Sequence, residues 1–111
     1  VLVGATVEDV GFDESATAEG VRQLLDSAIG LVPALGDARF HEVRVGLRPD
    51  TTDGLPVVGA SSTMRGVYYA TGHYRSGVLL APFTAGAIAD LVLEGIERPE
   101  LGLVRPDRFG L

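Results

Sequence analysis

Apolar residues recur along the chain in blocks whose spacing changes from segment to segment. Residues 1–7 are apolar and β-branched, which predicts a buried strand. Residues 8–15 are acidic, contain Gly11 and read as a loop. Thr17 can cap a following helix, with Glu19 in its first turn facing the positive end of the dipole. Val21, Leu24, Leu25, Ala28, Ile29 and Val32 then repeat at helical spacing, and Gly30 and Pro33 end the element. Residues 39–48 alternate imperfectly through Phe40, Val43, Val45 and Leu47 and predict a second strand, followed by a turn over residues 49–54. Two short strands are expected at 55–58 and 67–71, joined by a loop over residues 59–66. A glycine-bounded loop at 72–77 leads to residues 78–93, apolar on nearly every side, which predicts a buried helix. Pro82 lies about one turn inside that helix, so a kink, or a start nearer Ala81, is expected. From Glu94 onward the chain is polar, with Pro99 and Pro106, and reads as a terminal extension. The order β-α-β-β-β-α gives an α+β class, a mixed or antiparallel sheet with two main helices packed on it.

Composition narrows what such a fold can do. The chain has 111 residues, 46% hydrophobic and 22% charged, which suits one domain at most with a modest core. Nine basic against fifteen acidic residues give a net charge of −6, which argues against a nucleic-acid surface. All nine basic residues are arginine, so a Walker-type lysine loop and a Schiff-base nucleophile are both excluded. Cysteine is absent, removing disulfides, thiol chemistry and cysteine-bound metals; this fits a reducing, cytoplasmic setting. With only His41 and His73 and no paired carboxylate motif, no metal site is expected. The longest nearly uncharged run, 76–89, is too short and too interrupted to span a bilayer. The chain opens Val1-Leu2-Val3 without an initiator methionine or a signal-like segment, so it is expected to be cut from a longer protein.

Three clusters could carry chemistry. In Val45-Gly46-Leu47-Arg48-Pro49 an arginine ends an apolar strand, where its guanidinium can hold a carboxylate through two parallel hydrogen bonds. The alternative is a surface arginine paired with Asp50 or Asp53. Asp53-Gly54-Leu55-Pro56-Val57-Val58-Gly59 alone is a turn and a strand. In Tyr69-Ala70-Thr71-Gly72-His73-Tyr74-Arg75-Ser76-Gly77-Val78-Leu79-Leu80 a strand meets a glycine loop and a helix start, where backbone N–H groups bind anions. The alternative is a plain connection in which His73 is a hydrogen-bonded loop histidine. No Gly-x-Gly-x-x-Gly fingerprint occurs, and no Ser-His-Asp set can be inferred.

In order, three stretches carry a resemblance to the FAD-dependent D-amino-acid oxidase superfamily, and within it to the glycine oxidases of thiamine biosynthesis. They are Val3-Gly4-Ala5-Thr6-Val7-Glu8-Asp9-Val10-Gly11-Phe12-Asp13; Gly46-Leu47-Arg48-Pro49 with Asp53-Gly54-Leu55-Pro56; and Thr71-Gly72-His73-Tyr74-Arg75-Ser76-Gly77-Val78-Leu79-Leu80-Ala81-Pro82. Members of the family usually carry Asn where this chain has Ser76. The resemblance covers about the first 95 residues, and implies the C-terminal part of a two-domain FAD-dependent oxidoreductase fold. Residues 1–58 would belong to the substrate (oxidase) domain, 59–96 to a strand-loop-helix of the FAD-binding domain, and 97–111 to a C-terminal extension. It further implies oxidation of glycine or another small amino acid to the imino acid, with hydride passing to the flavin and oxygen reduced to hydrogen peroxide. Arg48 would grip the substrate carboxylate and Arg75 would also face the substrate. His73, Tyr74, Arg75, Ser76, Gly77, Val78 and Leu79 would lie against the isoalloxazine ring, with no side chain acting as general base. The implied partners are a small amino-acid substrate, molecular oxygen and the remainder of the same polypeptide, in a homo-oligomer; the 111 residues alone would be inactive. Sarcosine-type oxidases, D-amino-acid dehydrogenases and a non-catalytic assembly or binding module remain alternatives.

Overall fold

Thr17 starts the first helix as its side chain predicts: in the computed structural model, which describes residues 1–111, Oγ1 accepts the Gly20 N–H at 3.1 Å. Helix α1, Ala18–Leu31, carries an exposed ladder in which Arg22 pairs with Glu19 and Asp26, both at 2.7 Å. Its C-cap Val32 leads into a 3-10 turn, Pro33–Asp37. These elements belong to the first of two compact units, Val1–Leu47. The strands expected at 1–7 and 39–48 do not form. A strand is held by its ladder, and neither segment joins one; both run as irregular chain, exposed except at half-buried Thr6. Between them and α1 lies an open apolar groove of about 680 Å³, lined by Leu24, Leu25, Ala28, Ile29, Leu35 and Phe40 among others.

The second unit, Arg48–Leu111, contains the sheet. Strand β1, Val57–Ala60, pairs antiparallel with β2, Tyr68–Thr71, with Val57 opposite Thr71 and Ala60 opposite Tyr68. The first strand thus starts two residues later than the apolar pattern indicates and runs into the expected loop. Helix α2, Gly77–Leu93, packs on both strands. It runs through Pro82 rather than starting near Ala81. The ring frees the Val78 carbonyl four residues earlier, and Val78 is exposed, so solvent can satisfy it. The expected burial of α2 on all sides is not observed. Only Thr84 and Ala87 are buried along it, because β1 and β2 cover one face.

The remaining cover comes from the tail. Residues 94–111 are packed onto β1 through two 3-10 turns, Pro99–Leu103 and Pro106–Phe109. Val58 N–H donates to the Val104 carbonyl at 2.8 Å, and Ser62 N–H to that of Leu111 at 2.8 Å. Leu101 and Pro106 are the largest fully buried side chains, and Leu101 forms a core with Val58 and Ala87, bordered by Ile88 and Val104. Arg98 ties the tail to α2, meeting Asp90 at 2.6 Å with its guanidinium 5.6 Å from the Phe83 ring centroid. No helix is long and apolar enough to cross a membrane.

Candidate functional site

Within the second unit, the turn over residues 49–56 and the loop over residues 72–76 lie against each other. Thr51 Oγ1 donates to the Leu55 carbonyl at 2.7 Å, and Asp53 Oδ1 accepts the Leu55 N–H at 3.0 Å, closing the turn on itself. Gly72 is buried on this turn with φ +75°. A Cβ there would stand 2.7 Å from the Thr51 methyl and 3.4 Å from Pro56 Cα, so both conformation and space demand glycine. Two residues on, Tyr74 has φ +47° and is the only non-glycine residue with a positive φ. Its N–H donates to the Pro49 carbonyl at 3.0 Å.

That hydrogen bond brings two of the expected site residues together. The Arg48 guanidinium stands 6.0 Å from the Tyr74 ring centroid, at the outer limit of a cation–π contact. Arg75, next in the chain, is exposed. His73 behaves differently: its Nε2 shares a 2.9 Å hydrogen bond with Oγ1 of the buried Thr84. The imidazole is thereby turned back onto α2, and His73 offers the loop its backbone.

Ser76 precedes α2 without capping it by its side chain. The amides of Gly77, Val78 and Leu79 open the helix without intrahelical acceptors, while Leu80 N–H returns to the Ser76 carbonyl at 2.8 Å. Val78 and Leu79 are 93% and 81% exposed, so the first turn presents apolar side chains beside free donors. Gly77 is not required by the fold of this unit, since a Cβ there would meet only the His73 Cβ, at an ordinary 3.5 Å.

One arginine that the apolar pattern does not single out meets the same turn. Arg108 Nε donates to Asp53 Oδ2 at 2.6 Å, and its Nη2 donates to the carbonyls of Leu55 at 2.8 Å and Pro56 at 2.9 Å. The Arg108 hydrogen bond, followed by that from the Leu55 amide, holds the Asp53 carboxyl far below the usual carboxylate range. Sequence separation hides this contact: 55 positions divide the two residues, and arginines in a polar tail ordinarily face solvent. The Arg48 guanidinium, for its part, faces the Tyr74 ring.

A family model described as FAD dependent oxidoreductase (DAO) matches residues 1–91. The bifunctional protein ThiO/ThiG of Trichormus variabilis is 45% identical over 109 residues, 98% of this chain and 17% of that protein. The glycine oxidase of Geobacillus kaustophilus is 45% identical over 92 residues, 83% of this chain and 24% of that enzyme. The crystal structure of glycine oxidase from Geobacillus kaustophilus superposes with a TM-score of 0.73 at 42% identity, covering 85% of this chain and 25% of the other. The crystal structure of iminodiacetate oxidase from a Chelativorans species does so with a TM-score of 0.77 at 31% identity, covering 87% and 26%. The chain thus spans about a sixth of the ThiO/ThiG relative and a quarter of the oxidases. Its likeness to the ThiO/ThiG protein takes in the tail, whereas the family model ends at residue 91.

Proposed function

The chain belongs to the FAD dependent oxidoreductase (DAO) family, and from that premise we propose that it is the C-terminal portion of an amino-acid oxidase. Its substrate is glycine or another small amino acid, released as the imino acid, and its setting is the thiazole branch of thiamine biosynthesis. Residues 1–58 contribute to the substrate domain, 59–96 supply the last strand-loop-helix of the FAD-binding domain, and 97–111 extend it. The chemistry that FAD would supply there is acceptance of a hydride from the substrate carbon, with the electrons handed on to oxygen to give hydrogen peroxide.

What supports this reading is the start of α2. Three backbone donors, an exposed apolar turn and a glycine with spare room suit the polar edge of a flavin lying across an apolar surface. The helix N-terminus there is equivalent to about half a positive charge, which favours the negative charge that gathers at that edge on reduction. Gly77, Val78 and Leu79 would hold the flavin through their amides. Arg48, beside Tyr74, binds the substrate carboxylate in a two-pronged grip, and Arg75 adds positive charge on the same loop. With the substrate fixed by its carboxylate, orientation and charge do the work, and no protein base is needed.

Arg48 provides the test in the complete enzyme. A charge-assisted hydrogen bond is worth roughly 1.5–3 kcal/mol, so Arg48→Ala is expected to lower kcat/KM by about one to two decades for each bond lost. Arg48→Lys should restore part of it, because an ammonium keeps the charge without the fork. Flavin content should be unchanged in both. A specificity constant near wild type in Arg48→Ala would make Arg48 a surface residue and remove the reading.

A further inference from the structure

We infer that the C-terminal tail is a working part of the carboxylate-binding site, with Arg108 the positioning residue that fixes the 49–56 turn and, through it, Arg48 and Tyr74. This deepens the proposed function and rests on the assignment of Arg48 to the substrate carboxylate.

The turn is gripped from two sides. On one, the Arg108 guanidinium reaches both Asp53 oxygens, at 2.6 and 3.3 Å, and the Leu55 and Pro56 carbonyls. A further bond from Nη1 to the Arg105 carbonyl at 2.9 Å locks the fork to its own 3-10 turn. Lysine has no planar fork with which to span a carboxylate and two carbonyls at once. On the other side, the Pro49 carbonyl receives the Tyr74 amide, and Gly72 is packed on Thr51 and Pro56. Arg48 enters the turn directly, and Pro49 after it restricts its backbone. The tail itself cannot shift freely, because Leu101 and Pro106 are buried against β1 and α2. A fixed body, a clamp, a turn and a carboxylate-binding arginine therefore follow one another by direct contact. Releasing the clamp leaves Arg48 in place chemically but loosens where it points.

Substrate oxidation by the complete enzyme tests this, together with the dissociation constant of acetate, a carboxylate that cannot be oxidised, followed by its perturbation of the flavin absorbance. Small misplacements of a binding group cost up to about a hundredfold, so Arg108→Ala is expected to raise KM and the acetate constant by roughly tenfold. Flavin content and kcat should change far less. Arg108→Lys should recover only part of the loss, and Asp53→Asn should share it; these two decide the matter if Arg108→Ala does not fold. In an Arg48→Ala background, Arg108→Ala should have little further effect, since it acts through Arg48. If Arg108→Ala lowers only the unfolding temperature, with both constants as in wild type, the clamp is purely structural and the inference falls alone. Additive effects of the two substitutions would overturn it as well. If Arg48→Ala itself leaves both constants unchanged, the assignment of Arg48 falls first and takes the inference with it.

Discussion

Tyr74 occupies a backbone region that costs a non-glycine residue of order 1–3 kcal/mol, and it is held there by the Pro49 carbonyl and faced by Arg48. Such conformations persist where neighbouring structure over-determines them, and they cluster at ligand sites. Asp53 shows the complementary case, a side chain whose charge is secured by its partners. Because its carboxyl titrates lower in the folded protein than in the unfolded chain, its ion pair with Arg108 stabilises fully above the ordinary carboxylate pKa, about 3.9. That contribution is lost as pH falls below this value, where the unfolded state takes up the proton first. The unfolding temperature of the complete protein should therefore drop more steeply between about pH 5 and about pH 3 than that of Asp53→Asn. Parallel slopes would show that the ion pair does not contribute. Thr17 was legible as a cap from its place before an apolar repeat. Asp53 was legible only as a turn residue, since its partner lies 55 positions away.

Helix α2 separates what local pattern determines from what surroundings determine. Its existence and its C-terminal end at Leu93 agree with the apolar run; its burial does not, because burial depends on what covers the helix. The same distinction explains residues 1–7 and 39–48, whose β-branched and alternating patterns are strand-like but whose ladders have no partner here. β1 and β2, being each other's partner across a short connection, form. At the start of α2 the expected donors are free, while His73, expected at the flavin, spends its ring on Thr84. Gly77→Val in the complete enzyme is expected to lower flavin affinity and, in the flavin retained, to make the reduction potential more negative, because a β-branched side chain would keep the amides from the ring edge. Potentiometric titration against a dye of known potential reads this. A folded variant with normal flavin content and an unshifted potential would take the helix start out of the active site.

At the scale of the chain, large apolar side chains stand exposed: Val78 and Leu79 in the second unit, Leu31, Val32 and Phe40 in the first. The 111 residues alone are expected to bind FAD more weakly than about 1 µM, lacking a dinucleotide fingerprint, and to self-associate through these surfaces. Flavin fluorescence titration and gel filtration at several concentrations check both. Tight binding by a monomer would contradict the assignment of the chain as one portion of the site. The tail was the least legible region, since its proline and charge content reads as extension while its two fully buried side chains are spaced among polar residues. Its packing has a consequence for biosynthesis. During translation β1, β2 and α2 leave the ribosome before Leu101 and Pro106, the residues that close their core. At about 5–20 residues per second, each nascent molecule passes through an interval with that apolar surface made but uncovered. A polypeptide ended by a premature stop after residue 96 would remain in that state, an object for chaperones and proteases although the whole loop over residues 72–76 and helix α2 had been synthesised.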